Sequence, residues 1–306
     1  MHPRSKARLQ LAAAAVLFST GGAAIKATEF TAWQTAGLRS GIAAVAIFGL
    51  AAEARRGWSR RAVIVGVAYA VCLTLFVLAN RLTTAANTIY LQSTAPLYLA
   101  LLAPWLLKEP TRPQDLGFMA AIGLGLAFFF LGSQSPAATA PDPVRGNVLA
   151  ITSGLFWAIT VCGLRWMGAA GGEHGTAAAA VTSGNLTAFL VALPFALPLG
   201  GHPLRDWSLV AYLGVFQIAV AYIFVTRALA VIPALEAALI LLIEPVLNPV
   251  WAWIAQGERP GPWALVGGAV ILGATTIKAW LDARAGREVL TAEPDVPVMA
   301  PREPVG

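Results

Sequence analysis

The sequence predicts an all-α membrane protein whose ten transmembrane helices form two inverted five-helix repeats. Three observations carry that expectation. Hydrophobic residues make up 58% of the chain and charged residues 12%, with a mean hydropathy of +0.69, which suits a bilayer and lies outside the range of soluble domains. The apolar residues fall into ten runs, each long enough to cross a hydrocarbon core of about 30 Å. The ends of the two halves share the same spacing of prolines and a glutamate.

Bounded by charges and turn residues, the first five runs cover roughly 9–25, 31–52, 62–79, 85–107 and 114–132. The second five cover roughly 147–167, 176–198, 207–226, 234–255 and 262–281. Helix is the expected state, because lipid offers the backbone no hydrogen-bond partner and the alternation of an outer-membrane barrel strand is missing. Arg4, Lys6 and Arg8 before the first run also fit a secretory signal peptide. The run has a counterpart in the second half, which favours an integral span. Residues 286–306, rich in proline and mixed charge, read as a disordered cytoplasmic tail.

A net charge of +6 and a pI near 9.7 would suit a nucleic-acid binder, but the basic residues sit in clusters between apolar runs, so topology explains them instead. Assigned to alternate loops, 15 fall on the side of the N-terminus and five on the other, namely Lys26, Arg81, Arg145, Arg205 and Arg259. That asymmetry places both termini in the cytoplasm of a cell whose inner membrane holds the protein. Cys72 and Cys162 lie apart in apolar runs and the histidines His2, His174 and His202 lie outside the runs, so neither a disulfide, a metal site nor a cofactor is expected.

The repeat is read from two segments. APLYLALLAPWLLKEPTRP runs from Ala95 to Pro113, and EPVLNPVWAWIAQGERPGP from Glu244 to Pro262. In each, a mid-span proline (Pro96, Pro245) precedes a loop glutamate (Glu109, Glu258) by 13 residues, and another proline (Pro113, Pro262) follows after four. All these pairs share an offset of 149. A weaker echo pairs Leu17-Phe18 with Leu155-Phe156 and sets the repeats at 9–132 and 147–281. Five spans per repeat turn the second upside down relative to the first, an arrangement common in secondary transporters.

The layout, the mid-span proline followed by Glu109 or Glu258, and Arg39 near the start of span two resemble the EamA-type repeats of the drug/metabolite transporter superfamily, and are most similar to bacterial aromatic amino-acid exporters. The resemblance implies export of small metabolites across the inner membrane by alternating access, through a cavity lined chiefly by spans 1, 3, 4, 6, 8 and 9. It implies a small-molecule substrate, an amino acid by the nearer branch, and no need for an oligomer. The first repeat has Ala95 where the second has Glu244, so a role for Glu244 is one-sided. A multidrug or nucleotide-sugar-like carrier of the same superfamily is the alternative, although a nucleotide sugar calls for basic groups and only Arg39 is central. A membrane-embedded enzyme would need a nucleophile with its base or clustered metal ligands, and the spans hold a single firm central carboxylate and no histidine.

Polar side chains near span centres are the candidate cavity lining, since each must find a partner or meet water. They are Ser19 and Thr20 in span one, Tyr69 and Thr74 in span three, and Tyr90, Gln92, Ser93 and Tyr98 in span four. Spans six, eight and nine add Trp157, Gln217 and Tyr222, and Glu244 and Asn248. For the hydroxyls, bonding back to the preceding turn is the competing reading. For Gln92 and Gln217 it is interhelical packing. Trp157, Tyr69, Tyr90 and Tyr222 offer flat surfaces to an aromatic substrate, or else pack the core. Trp33, Trp58, Trp105, Trp207, Trp263 and Trp280 lie at span ends, as an interfacial belt requires.

Pro96 and Pro245 free a carbonyl at mid-span and are candidate gating kinks, with a static kink as the alternative. Arg39 is expected to act in structure or gating more than in substrate contact. Glu244 lies near the bilayer midplane, where a charge costs about 2.5 to 3.5 kcal/mol to insert. It must be paired, wet or protonated, and could carry a proton or hold a substrate amine. The alternative is that it satisfies donors at the Pro245 kink. Gly117, Ala121 and Gly125 in span five, with Ala269 and Gly273 in span ten, form small-residue faces suited to helix packing. Gly123-Leu124-Gly125 follows no strand and is no nucleotide loop, and the sequon Asn185-Leu186-Thr187 lies within a span.

Overall fold

The computed structural model describes residues 3–106, 113–131, 137–169, 175–229 and 231–291. They are helical throughout, apart from turns and an isolated bridge between Ala137 and Ala140. Glu109 and the tail from 292 onward lie outside them. The helices are α1 (Pro3–Ser19), α2 (Gly21–Ala27), α3 (Ala32–Leu50), α4 (Arg60–Leu82), α5 (Ala85–Gln92), α6 (Ala95–Leu106) and α7 (Pro113–Leu131) in the first repeat. The second holds α8 (Pro143–Ala169), α9 (Gly175–Ala196), α10 (Leu204–Tyr212), a π-helical stretch Leu213–Val220, α11 (Ala221–Leu229), α12 (Ala234–Leu241), α13 (Ile243–Gln256) and α14 (Pro262–Thr291).

Side chains start the helices where the sequence allows it. Thr31 and Gln34 form a reciprocal capping box at α3, with bonds of 3.2 and 2.9 Å, while Ser59 caps α4 and Thr84 caps α5. Three expected spans are broken. The first breaks at Thr20, the fourth at Ser93 and Thr94, the ninth at Leu242. The last two breaks are equivalent in the repeat, because Pro96 and Pro245 then fall in the first turn of α6 and α13, where a missing N–H is tolerated.

Seven helical stretches are long and apolar enough to cross a membrane: Pro3–Ala27, Arg60–Leu82, Pro143–Met167, Ala177–Ala196, Leu204–Leu229, Leu239–Gln256 and Pro262–Arg284. Asp115–Leu131 is a shorter apolar helix. Expected spans two and four do not qualify, for visible reasons. α3 buries Gln34, Thr35, Arg39 and Ser40 against its neighbours, and the fourth run is divided between α5 and α6. The last helix continues to Thr291, past the expected end of span ten. The N-terminal run is part of the body, with Ala7 and Leu11 packed on Ala228, Ile232 and Ala237.

Helices of one repeat pack mainly on those of the other. α4 lies against α8 and α9, α3 against α9 and the π-helical stretch, α1 against α11, α12 and α13, α5 and α6 against α8, and α7 against α14. Exchanging the repeats maps this pattern onto itself. α4 with α8 becomes α11 with α1, and α7 with α14 is its own image. Close crossings use glycine: a Cβ on Gly66 of α4 would run into Ser183 and lie 2.9 Å from the Ala180 carbonyl of α9. In the α7–α14 crossing the contact falls on Gly125 and Gly267, with Phe129 and Ile271, whereas Gly117 and Gly273 face open space. The expected stripe is therefore right at Gly125 and displaced along α14. Trp58, Trp105, Trp207, Trp263 and Trp280 are all exposed on the outer surface.

Candidate functional site

An aromatic cluster forms around α4 and α8. Tyr69 of α4 has its ring centre 6.1 Å from that of Trp157 on α8. Tyr69 and Tyr222 share an apolar floor that includes Ala43, Ile47, Val181, Ile218 and Ile223. The Tyr69 side chain is also within electrostatic reach of Arg39, Cys72, Tyr222 and Glu244. Six residues scattered from 39 to 244 are thus brought together by the crossing of the two repeats.

Two of them, Glu244 and Arg39, bring a carboxyl and a guanidinium with no ion pair among the described residues. Glu244 stands in the first turn of α13, deep among the helices, yet keeps accessible surface. Among the described residues it makes neither a hydrogen bond nor an ion pair, so it does not satisfy donors at the Pro245 kink. A carboxyl so placed must be wet or protonated. Arg39 is 1% exposed. Its guanidinium donates to the Leu73 carbonyl at 3.0 Å, and its Nε has no partner. It is too buried to snorkel to an interface, pairs with no carboxylate among the described residues, and lies beside Tyr69 and Cys72.

A second polar group surrounds the break between α1 and α2. Ser19 donates to the Val16 carbonyl at 2.7 Å and accepts from Trp251 Nε1 at 2.9 Å. The Thr20 hydroxyl donates to the Leu17 carbonyl at 2.7 Å and lies 2.9 Å from the Tyr212 hydroxyl. A Cβ on Gly21 would lie 2.9 Å from Gln217 Nε2, and one on Gly22 would lie 2.7 Å from Asn248 Oδ1. Glycine lets α2 pass close to these amides without displacing them. Asn248 follows Glu244 by one helical turn; neither polar atom of its side chain has a partner, nor does Gln217 Oε1. An apolar cleft of about 250 Å³ runs beside Thr20 along Ala24, Leu209 and Ile254, and does not reach Glu244.

Other candidates are placed elsewhere. Gln92 Nε2 donates to Ser153 Oγ at 2.8 Å, and Ser153 donates to the Cys72 carbonyl at 3.0 Å, so this amide ties α5 to α8 and α4. Ser93 bonds back to the Ile89 carbonyl at 2.7 Å. Tyr90 packs with Phe129 and against Gly268, between α5, α7 and α14 and away from Trp157. Thr74 is buried on α4 and Tyr98 half-buried on α6. The residue reading passed over Ser153, Tyr212 and Trp251, and took Lys26 only as a topological charge. Lys26 pairs with Glu258 at 2.9 Å, both side chains almost fully buried. The available signal was a lysine on the side poor in basic residues.

The EamA-like transporter family matches the chain over residues 5–131 and 144–278, one match per repeat. A comparison with curated proteins finds no match. Among solved structures, one described only as the crystal structure of a protein is 20% identical and superposes with a TM-score of 0.58, covering 92% of this chain and 99% of its own. That likeness concerns the fold.

Proposed function

Because the chain belongs to the EamA-like transporter family of the drug/metabolite transporter superfamily, and so is a multi-pass membrane transporter, we propose that it exports aromatic or other large apolar amino acids across the inner membrane by alternating access. Ten crossings with both termini in the cytoplasm go with this reading. The observation that carries it is Glu244, unpaired and accessible among Tyr69, Trp157 and Tyr222. The carboxylate suits a substrate ammonium, and the rings suit a flat apolar side chain. When access changes sides, the same carboxyl can release the amine or take a proton. Trp157 is 41% accessible and so has surface to offer a ligand.

Purified protein in liposomes, screened with labelled amino acids, tests the reading. Phenylalanine, tyrosine and tryptophan are expected to move at least tenfold faster than glycine. Equal transport of glycine and phenylalanine sinks the substrate assignment.

A further inference from the structure

Away from Glu244 and its aromatic neighbours, the end of the molecule opposite the N-terminus holds a buried charge pair. Lys26 is near the end of α2, and Glu258 follows Gly257, whose left-handed backbone (φ 68°) ends α13. The pair spans 2.9 Å, with side chains 4% and 3% exposed. Both partners are further committed. The second Glu258 oxygen accepts the N–H of Ala85, the first residue of α5, at 2.5 Å. Lys26 Nζ also donates to the Thr83 carbonyl at 2.8 Å and to the Thr139 carbonyl.

Two side chains therefore join four distant stretches: the end of α2, the turn into α5, the 137–140 bridge and the end of α13. Three of these are the half-helices that leave the breaks at Thr20, Ser93 and Leu242. Arg81 reinforces the same end by donating to the Thr28 and Phe30 carbonyls at 3.0 and 2.7 Å. The other end is unlike it. There Arg8 and Glu236 tie α1 to α12 with side chains 57% and 32% exposed, and ion pairs in water hold little.

A buried pair of this kind has two good states. Paired and dry, its attraction and hydrogen bonds offset desolvation; apart and wet, each charge regains water. One charge left dry without the other is the costly case, so the pair separates only as water enters. We propose, on the reading of the chain as an alternating-access transporter, that Lys26 and Glu258 form the latch that shuts its cavity at this end, and that their separation into water opens it. The breaks beside α2, α5 and α13 let these short helices swing without unfolding the halves beyond them.

The test is labelling by a membrane-impermeant maleimide of Glu244→Cys, in full-length protein with Cys72→Ser and Cys162→Ala. The liposomes are sorted by protease access to an N-terminal tag, and reagent is added at the end opposite the tag. With the pair intact, labelling is expected to be slow. Glu258→Gln, which keeps an acceptor for Ala85, and Lys26→Met are each expected to raise the rate at least tenfold, while Lys26→Arg keeps it slow. If Glu258→Gln fails to fold, Lys26→Met gives the same reading. A folded Glu258→Gln or Lys26→Met chain that labels at the parental rate overturns the latch. No substrate is needed, so absent amino-acid transport by the unsubstituted chain, where labelling follows the latch, counts against the transport reading alone.

Discussion

Glu244 and Arg39 are the two side chains whose surroundings least resemble ordinary helix packing. Each is an ionisable group deep in the protein with no opposite charge on it, and a chain pays for such groups only where they work. Glu244→Gln keeps the shape and hydrogen-bonding capacity of the side chain while removing its titration. We expect this variant in liposomes to transport at least tenfold more slowly and with a flattened pH dependence. Parental rate with parental pH dependence would make Glu244 architectural. The hydroxyls divide as short polar side chains on helices usually do. Ser93 is satisfied by its own preceding turn, whereas Ser19 and Thr20 bond back and also meet Trp251 and Tyr212. Chemical type alone could not separate those cases, because the deciding partners lie about 190 to 230 residues away in sequence, by the same separations their bonds span.

At the scale of single helices, proline and glycine set the shape. Pro96 and Pro245 could be located as mid-span kinks from sequence, and they do begin α6 and α13 after a break. The break at Thr20 and the π-helical stretch at Leu213–Val220 have no proline, and depend on what packs beside them. Glycine gives a paired prediction. Gly66→Val on α4 drives a side chain into Ser183 and the Ala180 carbonyl, and is expected to destabilise the protein by about 1 to 3 kcal/mol. Gly117→Ala on α7 meets nothing within 4 Å and should be neutral or stabilising by up to about 1 kcal/mol, since alanine is the better helix former. Thermal melting in detergent separates the two; equal shifts would show that the α4–α9 crossing is looser than described.

For the whole molecule, the exchange of contacts between repeats has a consequence for folding. Since α4 depends on α8 and α9, and α7 on α14, neither half buries its polar residues alone. We expect the halves, expressed as separate chains cut between Leu131 and Ala137, to copurify when made together and to be degraded when made singly. Accumulation of a folded first half would show that the interlocking is dispensable. The orientation is checked by a reporter fused after Gly286, expected to work only in the cytoplasm; activity confined to the periplasm reverses the basic-residue argument.

Sequence by itself determined the membrane setting, the two-repeat plan and the approximate helix positions. These follow from local quantities: apolar run length against bilayer thickness, and a proline and glutamate spacing repeated at an offset of 149. It also found Glu244, because a carboxylate in an apolar run is conspicuous wherever the chain goes. Only the tertiary structure decided which polar side chains meet. Tyr69 lies beside Trp157, but Tyr90 packs against α14, and Gln92 is occupied by Ser153. Most positions on every face of these helices are apolar, so periodicity marks the inward one poorly. Which side turns inward depends on how α3, α4, α8 and α9 cross, and the pairing of Lys26 with Glu258 arises where α2 meets α13.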